Sequence, residues 1–354
     1  MASFGMSSLS PHSPRTRSNS ASDWESVRNT YRQMVNAKQY VIFAADPFRE
    51  MAMRMQASNP SRFRYFPIKW GKYPDGTDDI TIEGFSPVNH VASSHILFFA
   101  SFHNNDVTLS QFSVLIVLLQ SFIESMTIVL LFYPVGTNER VTVEGKVATA
   151  NTYSTLLSSL PMNGRPSRLM IYDIHALQER FYFHSSALPS LHTSVPLLTE
   201  RLKGTGVHTV AFPDDGAAKR FGSFFISIGF DLITCGKVRD GDKRRVTITE
   251  GNPMGRSVVI VDDLVQTGGT LHECAVALKQ AGAVAVNAFV AHAVFPNQSW
   301  RRFCTKNGGD RAEFDKFWLT NSIPTVVNQL PVDSCFEVLD LMALIRKDLD
   351  DIHK

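Results

Sequence analysis

Residues 257–283 read SVVIVDDLVQTGGTLHECAVALKQAGA. The first five form a short apolar run, the kind that fills a strand buried on both faces. Asp262 and Asp263 follow at its C-terminal end, where open α/β sheets bind ligands. Thr267, Gly268, Gly269 and Thr270 then open a helix-like segment. Small residues let backbone N–H groups approach an anion closely, and a helix N-terminus adds positive potential. The threonine hydroxyls can donate to phosphate oxygens, and two adjacent carboxylates suit the vicinal hydroxyls of a ribose ring. One loop thus matches a sugar 5-phosphate at both ends. T-G-G-T alone is a weak signal, open to reading as a plain Gly-rich turn. Apolar strand, double Asp and Thr/Gly loop in this order is a specific one.

Outward from this stretch the chain alternates strand-like and helix-like segments. YVIFAAD (40–46) reads as a buried strand and FREMAMRMQAS (48–58) as a helix. HILFFAS, TIVLLFY, RLMIYD, HTVAFPD and AVNAFVAHAV are further strand candidates. Alternation of this kind predicts α/β architecture with parallel sheets flanked by helices. Two sheets are expected, one before about residue 188 and one after. The predicted layout is a tail over 1–22, a first domain over 23–188 and a second over 189–335. The final helix, within 336–354, is expected to pack back on the first domain.

At 354 residues the chain is long enough for two domains with substantial cores. A formal net charge of +2 excludes a strong global attraction to nucleic acid or an anionic membrane. Cys235, Cys274, Cys304 and Cys335 show no metal-type spacing and read as free thiols of a reducing compartment. Residues 112–133 are apolar enough to suggest a membrane span, but Gln120 and Glu124 interrupt them. A buried helix to about Ser121 and a strand from about Thr127 to Tyr133 are expected instead. The Ser-rich tail carries Pro and Arg and no acid. It reads as a disordered tail of a cytoplasmic protein, although organelle transit peptides share this composition. Folded structure is expected from Ser22, where S-D-W-E matches a capping box.

Three other segments carry chemistry. RLMIYDIHALQERFYF (168–183) ends a strand in Asp173-Ile174-His175. Asp and His at i, i+2 on an extended chain share a face and suit a hard divalent cation carried by a nucleoside triphosphate. A partly buried histidine beside a capping Asp is the plainer alternative. HTVAFPDDGAAKRF (208–221) delivers Asp214 beside a small-residue turn and the pair Lys219-Arg220, of which Arg220 also reads as a solvated helix start. CGKVRDGDKRR (235–245) is so rich in charge that it reads as a mobile surface loop.

Together these segments resemble the ribose-phosphate diphosphokinases, over roughly residues 38–350. The 257–271 stretch is shared with type I phosphoribosyltransferases. D-I-H-A-L-Q-E-R-F-Y-F, A-F-P-D-D-G-A and K-V-R-x-G-D-K-R are similar to the plant-type, class II diphosphokinases in particular. The resemblance implies two tandem phosphoribosyltransferase-like domains with the active site between them, and a homo-oligomer. It implies transfer of the diphosphate of ATP to O1 of ribose 5-phosphate, with Mg2+ accompanying ATP. Asp173, His175 and Asp214 would serve the cation. Asp262, Asp263, Gln266, Thr267, Gly268, Gly269 and Thr270 would hold ribose 5-phosphate. Lys237 and Arg239 would close over the reacting phosphates. Tyr73, Asp75 and Arg140 would contact ATP.

Some positions depart from the better-known class I pattern. Thr137 stands where an ATP-contacting Arg is usual, Thr77 where an acid is usual, and Gln266 replaces an acid in the sugar-phosphate loop. The class II likeness implies looser nucleotide choice and independence from activating phosphate. Two competing readings are a type I phosphoribosyltransferase and a non-catalytic regulatory homologue. D-I-H-A and the K-x-R pair weigh against the first. Retention of His175, Asp214, Lys237 and Arg239 weighs against the second.

Overall fold

A computed structural model describes residues 38–240, 243–304 and 314–351; the side chains of 237–240 and 243–245 lie outside that description. The expected tail over 1–22 and the capping box at Ser22 lie outside the described residues. From Tyr40 onward the chain forms one packed unit that contains both main sheets.

The first sheet takes six strands: β1 (Tyr40–Ala44), β2 (Phe63–Tyr65), β5 (His95–Ala100), β6 (Ser125–Leu130), β7 (Ser167–Tyr172) and β8 (Ala187–His192). Their order is β2-β1-β5-β6-β7-β8, and every pairing is parallel. Between β2 and β5 the chain makes an antiparallel hairpin of β3 (Ile68–Lys72) and β4 (Asp78–Ile82). Helices α1 (Arg49–Ser58), α2 (Asn105–Leu119) and α3 (Thr149–Ser158) make the crossovers. Alternation of side chains along a strand puts Val41 and Phe43 in one core, and Tyr40 and Ile42 in another on the opposite face. Burial on both faces is why these strands read as unbroken apolar runs.

The second sheet follows α4 (Val195–Leu202). It comprises β9 (Thr209–Phe212), β10 (Asp231–Asp240), β11 (Lys243–Glu250), β12 (Ser257–Val265), β13 (Ala285–Ala293), β14 (Phe317–Thr320) and β15 (Phe336–Leu339). The order is β11-β10-β9-β12-β13-β14-β15, antiparallel only between β10 and β11. Helices α5 (Asp215–Ser227) and α6 (Gly269–Gln280) cover its faces, and α7 (Pro324–Val327) is a single turn.

Several expectations change. The boundary at 188 falls inside β8, whose six residues pair with β7, so the first sheet runs to His192. The C-terminal segment divides: β15 stays with the second sheet, while α8 (Met342–Asp351) packs Leu344, Ile345 and Leu349 into the first sheet's core. The apolar stretch after residue 112 is the end of α2 followed by β6, and no helix among the described residues is long and apolar enough to cross a membrane. The cysteines have no disulfide, but Cys235 and Cys274 are not far apart: their sulfurs lie 3.3 Å from each other in the second core.

The expected loop over 235–245 is a hairpin. Pairs run from Cys235↔Ile248 to Asp240↔Lys243. Gly241 and Asp242, between the paired strands, lie outside the described residues.

The sheets meet at the C-terminal ends of their strands. The Nε2 of His292, at the end of β13, lies 3.2 Å from the carbonyl oxygen of Tyr172 and 3.3 Å from that of Asp173. Burial holds this imidazole below its usual pKa, so it is neutral with the proton on Nε2, and Nδ1 lies 3.0 Å from the Ser322 hydroxyl.

Candidate active site

β7 and β12 deliver the two central motifs to one place. His175 follows β7, and its Nδ1–H donates to Oδ2 of Asp263 on β12 over 2.7 Å. Arg220 on α5 completes the cluster, donating from Nη1 to the His175 carbonyl at 2.8 Å and to Asp263 Oδ2 at 3.2 Å. Three segments far apart in sequence thus converge on one carboxylate. Arg220, weighed from sequence as a solvated helix start, has a side chain only 13% exposed.

The charges sort accordingly. The hydrogen bond that His175 donates to Asp263 raises the pKa of His175, against an opposing effect of burial. Burial pushes the Asp263 carboxyl up, but His175 and Arg220 outweigh it and hold Asp263 ionised. Burial, Asp263 and Asp214 push Asp262 well above the usual carboxylate range. Adjacent carboxylates therefore differ: one ionised and paired, the other biased toward its protonated form.

Asp214 is the N-cap of α5, its Oδ1 accepting from Ala217 N at 3.0 Å, and its side chain is exposed. The Thr/Gly loop lies at the end of β12, with Gln266 and Thr267 exposed. Gly268 has φ +78°, and a Cβ there would lie 2.4 Å from the Phe303 ring, so the position demands glycine. Gly136 packs its backbone against His175, which brings the 134–140 turn to the edge of the site. Arg140 on that turn is 71% exposed and bonds Glu139 through Nε at 2.9 Å.

Asp173 is corrected. β7 ends at Tyr172 and Asp173 adopts φ +42°, so the alternation that would align it with His175 is broken. Its carboxylate is buried and accepts from Thr193 Oγ1 at 2.7 Å, and from Ser194 N and Oγ at 2.8 and 2.5 Å. It ties β7 to the start of α4, with both oxygens engaged inside the fold.

Tyr73 and Asp75 sit in the β3–β4 turn. Tyr73 is exposed, and Asp75 Oδ1 accepts from the Thr77 amide and hydroxyl. Within this chain no described contact joins them to His175 or to 262–270. Lys237 and Arg239 lie on β10, with side chains outside the description.

Sequence reasoning did not single out Glu179. It is fully buried near His175, its Oε1 accepts from Ala176 N, and its Oε2 has no partner. Burial pushes its pKa up to about 7. A Glu within D-I-H-A-L-Q-E gives no sign of burial, because its segment is a 3-10 turn without helical or strand periodicity.

Comparison with known proteins bears on the family and the fold. The phosphoribosyl transferase domain family model matches residues 215–312. Ribose-phosphate pyrophosphokinase 4 of Oryza sativa subsp. japonica is 44% identical over 319 residues, covering 89% of this chain and 96% of the relative. Its counterpart of the same name in Arabidopsis thaliana is 46% identical over 282 residues, covering 78% of this chain and 82% of the relative. The crystal structure of phosphoribosylpyrophosphate synthetase from Mycobacterium smegmatis superposes with a TM-score of 0.72 at 18% identity, covering 89% of this chain and 99% of that one. That likeness establishes the fold of two phosphoribosyltransferase-like domains. With its near full-length relatives above 40% identity, the chain belongs to the ribose-phosphate pyrophosphokinase family.

Proposed function

We propose that the protein transfers the diphosphate of ATP to O1 of ribose 5-phosphate, forming phosphoribosyl diphosphate and AMP. The family membership supports the activity. The observation that carries the site is the 2.7 Å contact between His175 and Asp263, which joins the D-I-H-A turn to the ribose-binding strand in one cluster.

The residues divide the work by position. Asp262 and Asp263 orient the ribose hydroxyls. Thr267, Gly268, Gly269 and Thr270 take the 5-phosphate on backbone N–H groups and hydroxyls, with Gln266 at the rim. Lys237 and Arg239, on the β10–β11 hairpin, offset charge that builds on the transferring phosphates. In-line attack by O1 on the β-phosphorus needs no protein nucleophile, so positioning and charge stabilisation supply the catalysis.

Among the described residues no three His, Cys, Asp or Glu side chains converge to hold a metal alone. That sparse donor set fits Mg2+, which binds through one or two protein groups and otherwise through substrate phosphates and water. His175 Nε2 and the Asp214 oxygen not engaged by the helix cap would hold it, directly or through water. Bound there, Mg2+ would neutralise charge on the phosphate chain. Donation of the His175 Nδ1 proton to Asp263 leaves Nε2 as the free lone pair of the neutral ring.

Arg140 borders the cleft from the 134–140 turn and is assigned to ATP. Tyr73 and Asp75 share no described contact with this cluster, and on the hairpin they suit contact with ATP in a neighbouring subunit of a homo-oligomer. A cytoplasmic location is the simpler reading. Relatives named chloroplastic or mitochondrial make residues 1–22 the segment whose deletion tests organelle delivery.

The test is an AMP-release assay on the purified chain with several nucleotides, with and without added phosphate. AMP formation that requires ribose 5-phosphate is expected. Its absence from an intact, ligand-binding protein favours the non-catalytic homologue.

A further inference from the structure

The loop that ends β12 is gripped from one side by the short turn Pro296–Phe303. The Ser299 hydroxyl donates to the carbonyl oxygen of Gln266 at 3.0 Å, and Nη1 of Arg302 donates to that of Thr267 at 2.9 Å. The same turn carries the Phe303 ring that fills the space beside Gly268. Arg302 also lies over that ring, its Cζ 5.7 Å from the centroid, which fixes the guanidinium plane.

Peptide planarity turns these two bonds into a constraint on the opposite face. In a trans peptide, the C=O of one residue and the N–H of the next point in opposite directions. Drawing the carbonyls of Gln266 and Thr267 toward Ser299 and Arg302 therefore aims the N–H groups of Thr267 and Gly268 away from that turn. Among the described contacts, the amides of Thr267, Gly268, Gly269 and Thr270 have no acceptor. Gly269 and Thr270 begin α6, whose first N–H groups lack intrahelical partners, and with the amides of Thr267 and Gly268 just before them they remain for an anion.

We propose that Ser299 and Arg302 are positioning residues for the 5-phosphate of ribose 5-phosphate, acting through the backbone of the Thr/Gly loop. The inference rests on the assignment of that loop to the sugar phosphate. Both donors pull carbonyls to the same side and so pre-set the amide fork before the ligand arrives. Without Arg302 the 267–268 peptide is free to rotate, and binding must supply the ordering. The predicted signature is selective. Affinity for the phosphorylated sugar falls, while turnover at saturation and affinity for ATP are kept.

The experiment compares Arg302→Ala, Arg302→Lys and Ser299→Ala with the unaltered protein, by steady-state kinetics and by separate calorimetric titrations of ribose 5-phosphate and MgATP. Arg302→Ala is expected to raise KM and Kd for ribose 5-phosphate about tenfold, the weight of one hydrogen bond from a charged donor. Its kcat and its Kd for MgATP should stay within about twofold. Ser299→Ala should follow with a smaller effect, and Arg302→Lys, which keeps a donor, should recover most of the loss. A double substitution Asp262→Ala with Asp263→Ala is the control for the sugar site itself. If that control weakens ribose 5-phosphate binding but Arg302→Ala does not, the clamp is wrong and the site assignment stands. If neither weakens it, the site assignment has failed. If Arg302→Ala lowers both ligands' affinities together and lysine does not rescue it, the residue is merely structural and the proposal is overturned.

Discussion

The Nδ1 of His175 lies 2.7 Å from Oδ2 of Asp263, a contact between residues 88 positions apart that closes the two halves of the chain on one another. Arg220 pairs with the same carboxylate oxygen at 3.2 Å. Asp263 therefore links the histidine turn of the first sheet to β12 of the second.

The pair has a defined pH signature in the ligand-free, metal-free protein. The folded pKa of His175 is raised, chiefly by Asp263, so its contribution to stability is complete below the unfolded value and is lost as pH rises through the folded one. Asp263 is lowered, so its contribution is lost as pH falls through its depressed pKa. The Tm gap between the unaltered protein and His175→Gln should be wider near pH ~5.5 than near pH ~9. His175 is 44% exposed and solvent screening keeps the gap to about 1–3 °C. Thermal melts at the two pH values measure it; a gap that widens at high pH contradicts the assignment.

Glu179 has the opposite character for a carboxylate. Burial raises its pKa from 4.5 to about 7. A raised folded pKa means that stability is greatest below the unfolded value and falls as pH climbs through about 7. Glu179→Gln removes the buried charge and should gain on the order of 2–3 kcal/mol over the unaltered protein at pH ~8, and little at pH ~5. Urea denaturation at both pH values decides this; equal effects at both remove burial of the charge as the cause.

Gly268→Ala combines a left-handed φ with a Cβ placed 2.4 Å from the Phe303 ring. It should cost about 2–4 kcal/mol of stability and raise KM for ribose 5-phosphate, because the ring or the loop must shift. Unchanged stability and KM in chemical denaturation and kinetics would show that the loop relaxes freely.

Lys237 lies on β10, pairing with Val246 across the hairpin. Lys237→Ala should lower kcat by roughly 10²–10³ with the fold kept, as when one transition-state donor is removed. Near-normal turnover beside an unchanged circular dichroism spectrum would take the hairpin out of the mechanism.

The buried strands were legible because both faces of each sheet are covered, so the runs VIFA, ILFFA and VVIV within them carry no polar residue. The order Asp262, Asp263, Thr267 to Thr270 was legible as a strand, loop and helix start because it lies within one such unit. What crosses between units was harder to read. Arg220 looked solvated, since nothing local reveals that α5 aims it at Asp263. Asp173 was aligned with His175 because strand alternation was carried past the end of β7 at Tyr172. The pairing of β10 with β11 was hidden by the charges of 235–245. Ser299 and Arg302 carry no local signal, because their effect depends on the loop they grip.

Phosphoryl transfer with ATP labelled at the β-phosphate tests the central claim most directly. The account predicts that, with ribose 5-phosphate present, the label leaves the nucleotide as part of phosphoribosyl diphosphate and unlabelled AMP forms in equal amount. Label retained in ADP, or released as inorganic phosphate without a labelled sugar product, would contradict it.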